Sequence, residues 1–232
     1  MEHSVAAIIL AAGKGLRMGG DLPKQYMVLA GRPVLAHTLA AFDHAPSVDA
    51  LVIVASDESY VKKEVLASYP VRKPVFFVEG GRERQDSVGN ALRILDNCEL
   101  VVIHDGVRPL IKVDVIEKSI AAARLYGACA AGMPCKDTIK EADEEGFSIR
   151  TPDRSRLWTI QTPQTFQLSL LKEAHAKAQE DGYLGTDDSS LVERLGKHPV
   201  KLIEGGYDNI KITTREDLEL AAGYLKYRRG QL

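Results

Sequence analysis

The sequence predicts an α/β fold in which a mainly parallel, twisted sheet carries helices on both faces. Apolar runs of strand length recur along the chain, and amphipathic helical patterns separate most of them. These runs are apolar throughout, which is typical of parallel strands that are buried on both faces. With 232 residues, of which 45% are hydrophobic, the chain suits one large domain. We therefore predict a single Rossmann-like domain over residues 1–232.

The individual elements follow from these patterns in chain order. Strands are predicted at residues 5–10, 51–55, 75–78, 100–104 and 128–133, and helices at 33–42, 87–95, 113–125 and 168–178. Near the C-terminus, residues 208–213 alternate in polarity and predict a short strand. Thr214 is then expected to cap the last helix, with Asp217 at its third position. In a sheet of this kind, ligands bind beyond the carboxyl ends of the strands.

Residues 134–160 break the alternation of strands and helices. They are polar and contain an acidic turn at 143–146, which predicts a two-stranded excursion from the sheet. An isolated hairpin is barely stable in water, so we predict a projecting β-arm that packs on a second subunit and forms a homodimer. A mobile surface loop is the alternative.

Charge and cysteine content restrict the class of protein. The net charge of −2, from 30 basic and 32 acidic residues, argues against nucleic-acid or membrane-surface binding driven by bulk charge. Cys98, Cys129 and Cys135 are odd in number and lack C-x-x-C spacing, so they are interpreted as small core residues in a reducing compartment. The apolar run that begins at Val5 is too short to span a bilayer. We expect a cytoplasmic protein with no membrane or nucleic-acid partner.

The loop after the first predicted strand is rich in glycine and positive charge. Gly13 and Gly15 can turn backbone N–H groups inward around an anion, and Lys14, Arg17 and Lys24 add full positive charges. The Walker and dinucleotide-binding motifs both fail to match here. The pattern still favours a phosphate-binding loop, and the alternative is an ordinary strand-to-helix turn with solvated cations.

A second group of polar residues follows the predicted strand 100–104. Asp105 and Arg108 should reach the same sheet edge as the glycine-rich loop, where a lone carboxylate suits Mg²⁺ that also binds phosphate oxygens and water. As an alternative, Asp105 caps the helix that begins near Val113, and Arg108 forms a structural ion pair. His104 is interpreted as a packed histidine at the strand end.

Three further positions carry weaker signals. Gly80 and Gly81 precede a predicted helix at the same sheet edge, where free helix N–H groups could meet a nucleotide. Thr186 precedes Asp187 and Asp188, and the aspartates are as consistent with a helix cap as with a site. For Lys211 the default interpretation is a solvated lysine.

Taken together, these motifs closely resemble one family, the 2-C-methyl-D-erythritol 4-phosphate cytidylyltransferases of non-mevalonate isoprenoid synthesis. The resemblance runs from about Val5 to Leu225. The motifs are Ala11-Ala-Gly-x-Gly-x-Arg-Met18, Pro23-Lys24-Gln25-Tyr26, His37-Thr38-Leu39, Gly80-Gly-x-Glu-Arg-x-x-Ser87, His104-Asp-x-x-Arg-Pro109, Thr162-Pro-Gln-x-Phe166, Thr186-Asp-Asp-x-Ser-Leu-Val-Glu193 and Asn209-Ile-Lys-x-Thr213. Their order and spacing are together highly specific.

The resemblance implies a fold of the nucleotidyltransferase type and a role for each matching residue. The residues implied to bind CTP are Ala11, Ala12, Gly13, Gly15, Arg17, Lys24, Gly81, Ser87 and Gly106. Those implied to bind methylerythritol phosphate are Asp105, Arg108, Thr138, Arg154, Thr186 and Lys211, and those implied to act in catalysis are Arg17, Lys24, Arg154 and Lys211. Asp105 and Asp208 resemble the acidic residues near Mg²⁺. Thr138 and Arg154 belong to the arm, which in the family reaches into the partner's active site. Some members carry an acidic residue at the position of Arg82, near the cytosine.

The chemistry implied is attack by a sugar-alcohol phosphate on the α-phosphate of CTP, with departure of pyrophosphate. A phosphate monoester is largely dianionic at neutral pH, so no general base is required. Two alternatives are a ribitol 5-phosphate cytidylyltransferase and a non-catalytic nucleotide-binding regulator. Such a regulator would be expected to lack Arg17, Lys24 or Asp105, and all three are present. A purely structural oligomer would leave the clustered charges of the loop unexplained.

Overall fold

A computed structural model describes residues 5–13, 22–196, 198–228 and 230. The predicted site residues Gly15 and Arg17 lie outside the described residues, as does Lys14. The strands are β1 (Val5–Leu10), β2 (Val28–Leu29), β3 (Arg32–Pro33), β4 (Ala50–Ala55), β5 (Val75–Glu79), β6 (Leu100–Asp105), β7 (Ala128–Pro134), β8 (Glu141–Ala142), β9 (Ser148–Arg150), β10 (Trp158–Gln167) and β11 (Lys201–Glu204). The helices are α1 (Val34–His44), α2 (Glu58–Tyr60), α3 (Arg84–Leu92), α4 (Val113–Tyr126), α5 (Leu168–Glu180), α6 (Asp188–Arg194) and α7 (Arg215–Arg228), and a π-helical stretch (Val61–Leu66) continues α2.

Seven of the strands form one sheet in the order β11-β7-β10-β6-β1-β4-β5. All neighbouring pairs are parallel except those of β10, which runs antiparallel to β6 and β7. The prediction of a mainly parallel α/β sheet is confirmed, and each of the five predicted strands is present. The order reverses at β1, because β4 and β5 lie on one side of it and β6 on the other.

Helices cover both faces of this sheet because consecutive side chains of a strand point to opposite sides. On β1, Ile9 packs in a cluster with residues of α1 and α4, whereas Ile8 packs with residues of α3, α5 and α6. Both isoleucines are fully buried, and each contributes about 1.5–3 kcal/mol through the hydrophobic effect. This core fixes the sheet edge that carries the site.

The prediction of a strand at 208–213 is wrong. The segment runs without regular strand pairing, because it crosses the loop after β6. The backbone N–H of Ile212 donates to the Val107 carbonyl at 2.9 Å, and the Ile212 side chain is buried against Leu110 and Ala221. The expected cap of the following helix is present: the Thr214 hydroxyl accepts the backbone N–H of Asp217 at 3.3 Å, and Asp217 Oδ2 accepts the backbone N–H of Thr214 at 2.8 Å.

The arm region contains a short antiparallel hairpin of β8 and β9. The Asp143 carboxylate holds its turn by accepting the backbone N–H of Phe147 at 2.8 Å. Every residue from 136 to 151 is exposed, including Phe147 at 67% and Ile149 at 61%. The predicted hairpin is therefore present, and its role in dimerisation stays a prediction.

Candidate active site

The site lies where the carboxyl ends of β1 and β6 meet. Leu10 and Asp105 are paired in the parallel register of these strands, and the backbone N–H of Gly106 donates to the Leu10 carbonyl at 2.8 Å. The strand order reverses at this point, which is where open α/β sheets bind their ligands. A Cβ added at Gly106 would lie only 2.8 Å from the Leu10 carbonyl oxygen, so the two strand ends require glycine to approach this closely.

Two adjoining cavities open at this edge, with volumes of about 530 Å³ and 430 Å³. Arg84, Asp105 and Lys211 line both cavities and so form a shared wall. The arrangement can hold two ligands side by side, with charged groups between them.

The first cavity contains most of the residues predicted to bind the nucleotide. Gln25 holds the chain beyond β1 by donating from Nε2 to the carbonyls of Ala11 at 2.7 Å and Gly13 at 3.1 Å. On the opposite side, the Ser87 hydroxyl accepts the backbone N–H of Gly81 at 3.0 Å at the start of α3. The predicted residues on this lining are Ala11, Ala12, Gly13, Lys24, Gly81 and Ser87, together with Asp105 and Lys211 of the shared wall.

The second cavity contains four of the residues predicted to bind the sugar-alcohol phosphate: Asp105, Arg108, Thr186 and Lys211. Asp187, next to Thr186, caps α6, since its carboxylate accepts the backbone N–H of Ser190 at 2.9 Å. This confirms the capping interpretation for Asp187. Thr186 therefore lies directly before the N-cap of α6, on the lining of the second cavity.

Asp105 is the electrostatic centre of the shared wall. Its carboxylate lies 3.0 Å from Lys211 Nζ, 3.4 Å from Arg108 Nε and 3.6 Å from Arg84 Nε. Burial alone would raise the pKa of Asp105, but attraction to Lys211, Arg84 and Arg108 outweighs burial and holds the pKa well below its usual range. The carboxylate is therefore ionised at neutral pH, and Lys211 is more than a solvated lysine.

The alternative role of Asp105 as a helix cap is wrong. Helix α4 begins after Lys112, and no side chain caps it. The other half of that alternative is correct, because Arg108 does pair with Asp105. Arg108 also donates from Nη1 to the Asn209 carbonyl at 2.8 Å, which ties the loop after β6 to the segment that carries Lys211.

His104 packs beneath the site, as predicted. Its ring is fully buried, with the Phe42 ring 5.0 Å away. Nε2 lies 3.2 Å from the Arg108 carbonyl and Nδ1 3.0 Å from the Thr162 hydroxyl. Since a carbonyl only accepts, the proton of the neutral ring is on Nε2 and Thr162 donates to Nδ1. Burial lowers the pKa of His104 to about 4.

Four predicted site residues in the described part of the chain lie apart from both cavity linings: Gly106, Thr138, Arg154 and Asp208. Gly106 is a backbone neighbour of the site. Thr138 and Arg154 are exposed on the arm, where Arg154 Nη1 donates to the Lys136 carbonyl at 2.6 Å. The single chain does not bring these two side chains to the cavities, and their action across a dimer stays a prediction.

The structure offers fewer carboxylate ligands for Mg²⁺ than the two that the sequence suggested. Asp105 offers one ionised carboxylate beside both cavities, which fits a cation that takes one or two carboxylates together with phosphate oxygens and water. Asp208 does not fit as a second ligand beside it, because it lines neither cavity and its carboxylate pairs with Lys112 at 3.0 Å and Arg228 at 2.6 Å. Within the described ranges, no three His, Cys, Asp or Glu side chains converge as metal ligands.

Sequence reasoning gave no role to Gln25, Arg84 and Gln164, which are polar residues that build the site. It left Asp188 as either part of a helix cap or a site residue. Each is a polar residue inside a motif that carried the resemblance. That combination was the available signal, but their partners are distant in sequence. Arg84 pairs with Asp188, for example, across 104 positions.

Comparisons with known proteins agree with this geometry. The family model described as IspD, 2-C-methyl-D-erythritol 4-phosphate cytidylyltransferase, matches residues 5–227. A curated 2-C-methyl-D-erythritol 4-phosphate cytidylyltransferase from Caldanaerobacter subterraneus is 50% identical over 226 residues, covering 96% of this chain and 99% of the relative. One from Alkaliphilus oremlandii is 47% identical and covers 97% of this chain and 96% of the relative.

Solved structures show the same likeness. The 4-diphosphocytidyl-2C-methyl-D-erythritol synthase of Anaerococcus prevotii superposes with a TM-score of 0.85 at 37% identity, covering 97% of this chain and 96% of that one. The 2-C-methyl-D-erythritol 4-phosphate cytidylyltransferase of Thermus thermophilus gives a TM-score of 0.76 at 34% identity, with 97% and 100% covered. None of the helices in the described portion of the chain combines the length and apolarity needed to cross a bilayer. From its sequence, its sheet order and these full-length matches, the chain belongs to the 2-C-methyl-D-erythritol 4-phosphate cytidylyltransferase family.

Proposed function

We propose that the protein joins CTP and 2-C-methyl-D-erythritol 4-phosphate to give 4-diphosphocytidyl-2-C-methyl-D-erythritol and pyrophosphate, in isoprenoid precursor synthesis. The observation that carries the proposal is the pair of cavities with a shared wall of Arg84, Asp105 and Lys211. One cavity has the glycine-rich turns and Lys24 that suit a triphosphate. The other has Arg108 and Thr186, which suit a phosphorylated polyol.

The chemistry is attack of a phosphate oxygen on the α-phosphorus of CTP, with cleavage of the bond to the pyrophosphate leaving group. The attacking phosphate monoester is largely dianionic at neutral pH, so the protein need not remove a proton. The main barrier is repulsion between two anions. Lys24 stabilises the triphosphate, and Lys211 lies where the two cavities meet and can face the oxygens of both ligands. Both act by positioning and charge stabilisation.

Magnesium fits this site through Asp105 and the phosphate oxygens of the nucleotide. When bound, the ion would supply further positive charge against the triphosphate. Arg17, which lies outside the described residues, is assigned by resemblance to the same charge-stabilising role as Lys24.

The second subunit completes the site in this proposal. Thr138 and Arg154 of one arm would reach the second cavity of the partner, so the working enzyme is a homodimer. Exposed Phe147 and Ile149 give the arm apolar surface to bury in that contact.

We also place the enzyme in the cytoplasm. Cys98, Cys129 and Cys135 are free thiols. Unpaired cysteines suit a reducing compartment, which is also where a nucleoside triphosphate substrate would be available.

Pyrophosphate release tests the proposed function directly. Each of the four nucleoside triphosphates is incubated with methylerythritol phosphate and, separately, with ribitol 5-phosphate. We expect CTP with methylerythritol phosphate to be preferred over every other pair. Preference for ribitol 5-phosphate would reassign the polyol, and preference for ATP or UTP would reassign the nucleotide. No release with any pair would favour a nucleotide-binding regulator.

A further inference from the structure

The shared wall of the two cavities depends on a buried aspartate that lines neither of them. Asp188, the first residue of α6, has a side chain that is 1% exposed, and its Oδ2 accepts Arg84 Nη1 at 2.6 Å. Among the described residues, Arg84 is the side chain that hydrogen-bonds this carboxylate. The other basic side chain within 4 Å of it in the described part of the chain is His175, whose Nε2 lies 3.5 Å from Asp188 Oδ1.

The backbone at Asp188 is itself fixed to the central sheet. The backbone N–H groups of Asp188 and Ser189 both donate to Gln164 Oε1, each at 3.1 Å. Gln164 belongs to β10, next to β6, and its Nε2 donates to the capping residue Asp187 at 2.7 Å. The start of α6 therefore has little freedom to move relative to the strand that carries Asp105.

Arg84 connects this anchor to the site. Its Nη1 is held by Asp188, and its Nε faces Asp105 Oδ1 at 3.6 Å. The other carboxylate oxygen, Asp105 Oδ2, is contacted by Lys211 and Arg108. When two carboxylates share one guanidinium, the carboxylate that makes the stronger hydrogen bond determines where the guanidinium lies. For Arg84 this is Asp188, because its contact is shorter than the contact to Asp105.

We propose that Asp188 sets the position of the Arg84 guanidinium, and that Arg84 in turn holds the Asp105 carboxylate in register with Lys211 between the two substrates. Arg84 and Asp188 are thus positioning residues for the transfer. This inference rests on the proposed function for its kinetic test, but it concerns a geometry that can be observed without turnover.

The expected consequence of neutralising Asp188 is a defect in turnover. In Asp188→Asn, Arg84 loses its charged anchor and pairs with Asp105 instead, which draws the carboxylate away from Lys211. A misplacement of about 1 Å can cost up to 10²-fold in rate. We expect kcat to fall by about tenfold or more, while KM for CTP and for the polyol phosphate each change by less than about threefold, because the groups that bind the substrates remain.

A double-mutant cycle separates action through Arg84 from an independent effect of Asp188. The variants are Asp188→Asn, Arg84→Gln, the double variant, and Arg84→Lys as the conservative replacement. If Asp188 acts through Arg84, the double variant will have a kcat close to that of Arg84→Gln alone. Arg84→Lys should recover part of the loss seen in Arg84→Gln. Losses that multiply in the double variant would overturn the proposal, as would an Asp188→Asn kcat within twofold of the parent.

Asp43→Asn is a matched control for the loss of a buried carboxylate. Asp43 is 7% exposed and pairs with Arg72 at 3.0 Å, outside both cavities. This control should lower the melting temperature while leaving the kcat of the folded enzyme unchanged. A kcat loss in Asp188→Asn no larger than in Asp43→Asn would show a purely structural role.

Crystal structures of the parent and of Asp188→Asn decide the inference if the parent fails to release pyrophosphate with CTP and methylerythritol phosphate. That failure would contradict the proposed function and not the positioning role. We expect the Arg84 guanidinium to shift toward Asp105 by more than about 0.5 Å, the tolerance of a preorganised site. An unmoved guanidinium would overturn the inference.

Discussion

At the scale of single residues, His104 and Asp105 are neighbours on β6 with opposite charge preferences. Asp105 faces three cations and is held ionised. His104 is fully buried, and burial keeps its ring neutral by lowering its pKa to about 4, while its two nitrogens contact the Thr162 hydroxyl and the Arg108 carbonyl. The carboxyl end of β6 therefore carries one charged and one neutral side chain, and neither changes its charge near physiological pH.

The stability of the protein should decrease as the pH falls from about 6.5 to about 4. An unfolded histidine takes up a proton near pH 6.5, whereas folded His104 resists protonation until about pH 4. Between these values the unfolded chain binds more protons, so unfolding becomes easier as the pH falls. We expect about 2 kcal/mol less stability at pH 4.5 than at pH 7.5 from this residue. Urea unfolding at several pH values measures the difference.

The variant His104→Gln provides the comparison. Its overall stability is expected to be lower because a packed ring is lost, but the pH dependence that belongs to the imidazole should disappear. The same slope in parent and variant between pH 4.5 and 6.5 would show that other groups cause it.

Lys24 follows the glycine-rich loop in the sequence and lines the first cavity, which is the one proposed to bind the nucleotide. We expect Lys24→Ala to lower turnover by roughly 10²- to 10³-fold, the scale for losing one preorganised electrostatic donor. The assay is pyrophosphate release at saturating CTP and polyol phosphate. Lys63→Ala, on the exposed side of the π-helical stretch, serves as the charge-matched control and should retain parental activity. Activity of Lys24→Ala within about twofold of the parent would refute its role.

At the scale of elements, continuous apolar strands were predictable from the sequence and buried polar strands were not. β1, β4, β5, β6 and β7 have the expected apolar pattern, whereas β10 contains Gln164 and Thr165, which are 1% and 0% exposed. Thr165 is satisfied by Ser119 at 2.8 Å. Such partners are set by tertiary packing, which no local pattern records.

The same distinction applies to the site. Residues that immediately follow a strand, such as Asp105 and Arg108, could be placed at one edge from the topology alone. The pairing of Arg84 with Asp188 could not, since it joins the starts of two helices 104 positions apart. The alternation at 208–213 was misleading because the segment packs across a loop and not beside a strand.

Alanine substitution at two glycines should change the free energy of unfolding in opposite directions. Gly106 lies where β1 and β6 meet, and Gly223 lies in α7. Ala at position 106 would place a Cβ 2.8 Å from the Leu10 carbonyl oxygen. That atom belongs to a central strand and cannot yield alone, so Gly106→Ala should cost about 1–3 kcal/mol. Gly223 lies inside α7 with nothing within 4 Å of an added Cβ, so Gly223→Ala should stabilise by up to about 1 kcal/mol. Guanidinium unfolding measures both changes, and a stabilised Gly106→Ala would contradict the close approach.

At the scale of the whole molecule, one chain supplies both cavities but leaves its arm side chains in solvent. Every residue of the hairpin from 136 to 151 is exposed, which is unusual for a segment with large apolar side chains such as Phe147 and Ile149. A dimer that shares its sites would explain why Arg154 belongs to the family pattern while lying outside the cavities of its own chain.

Mixed dimers test this sharing. In a heterodimer of Lys24→Ala and Arg154→Ala chains, one site combines both defects and the other combines an intact cavity with an intact arm. Each variant alone should be nearly inactive, and an equimolar mixture after subunit exchange should recover about one quarter of the parental activity by random pairing. A mixture of Lys24→Ala with Lys211→Ala is the control, because both residues belong to the cavity of the same chain and no intact site can form. Light scattering establishes that dimers are present, and pyrophosphate release measures the recovery. Recovery in the first mixture alone requires that the arm of one subunit completes the active site of the other, whereas equal activity in both mixtures would show that each chain works by itself.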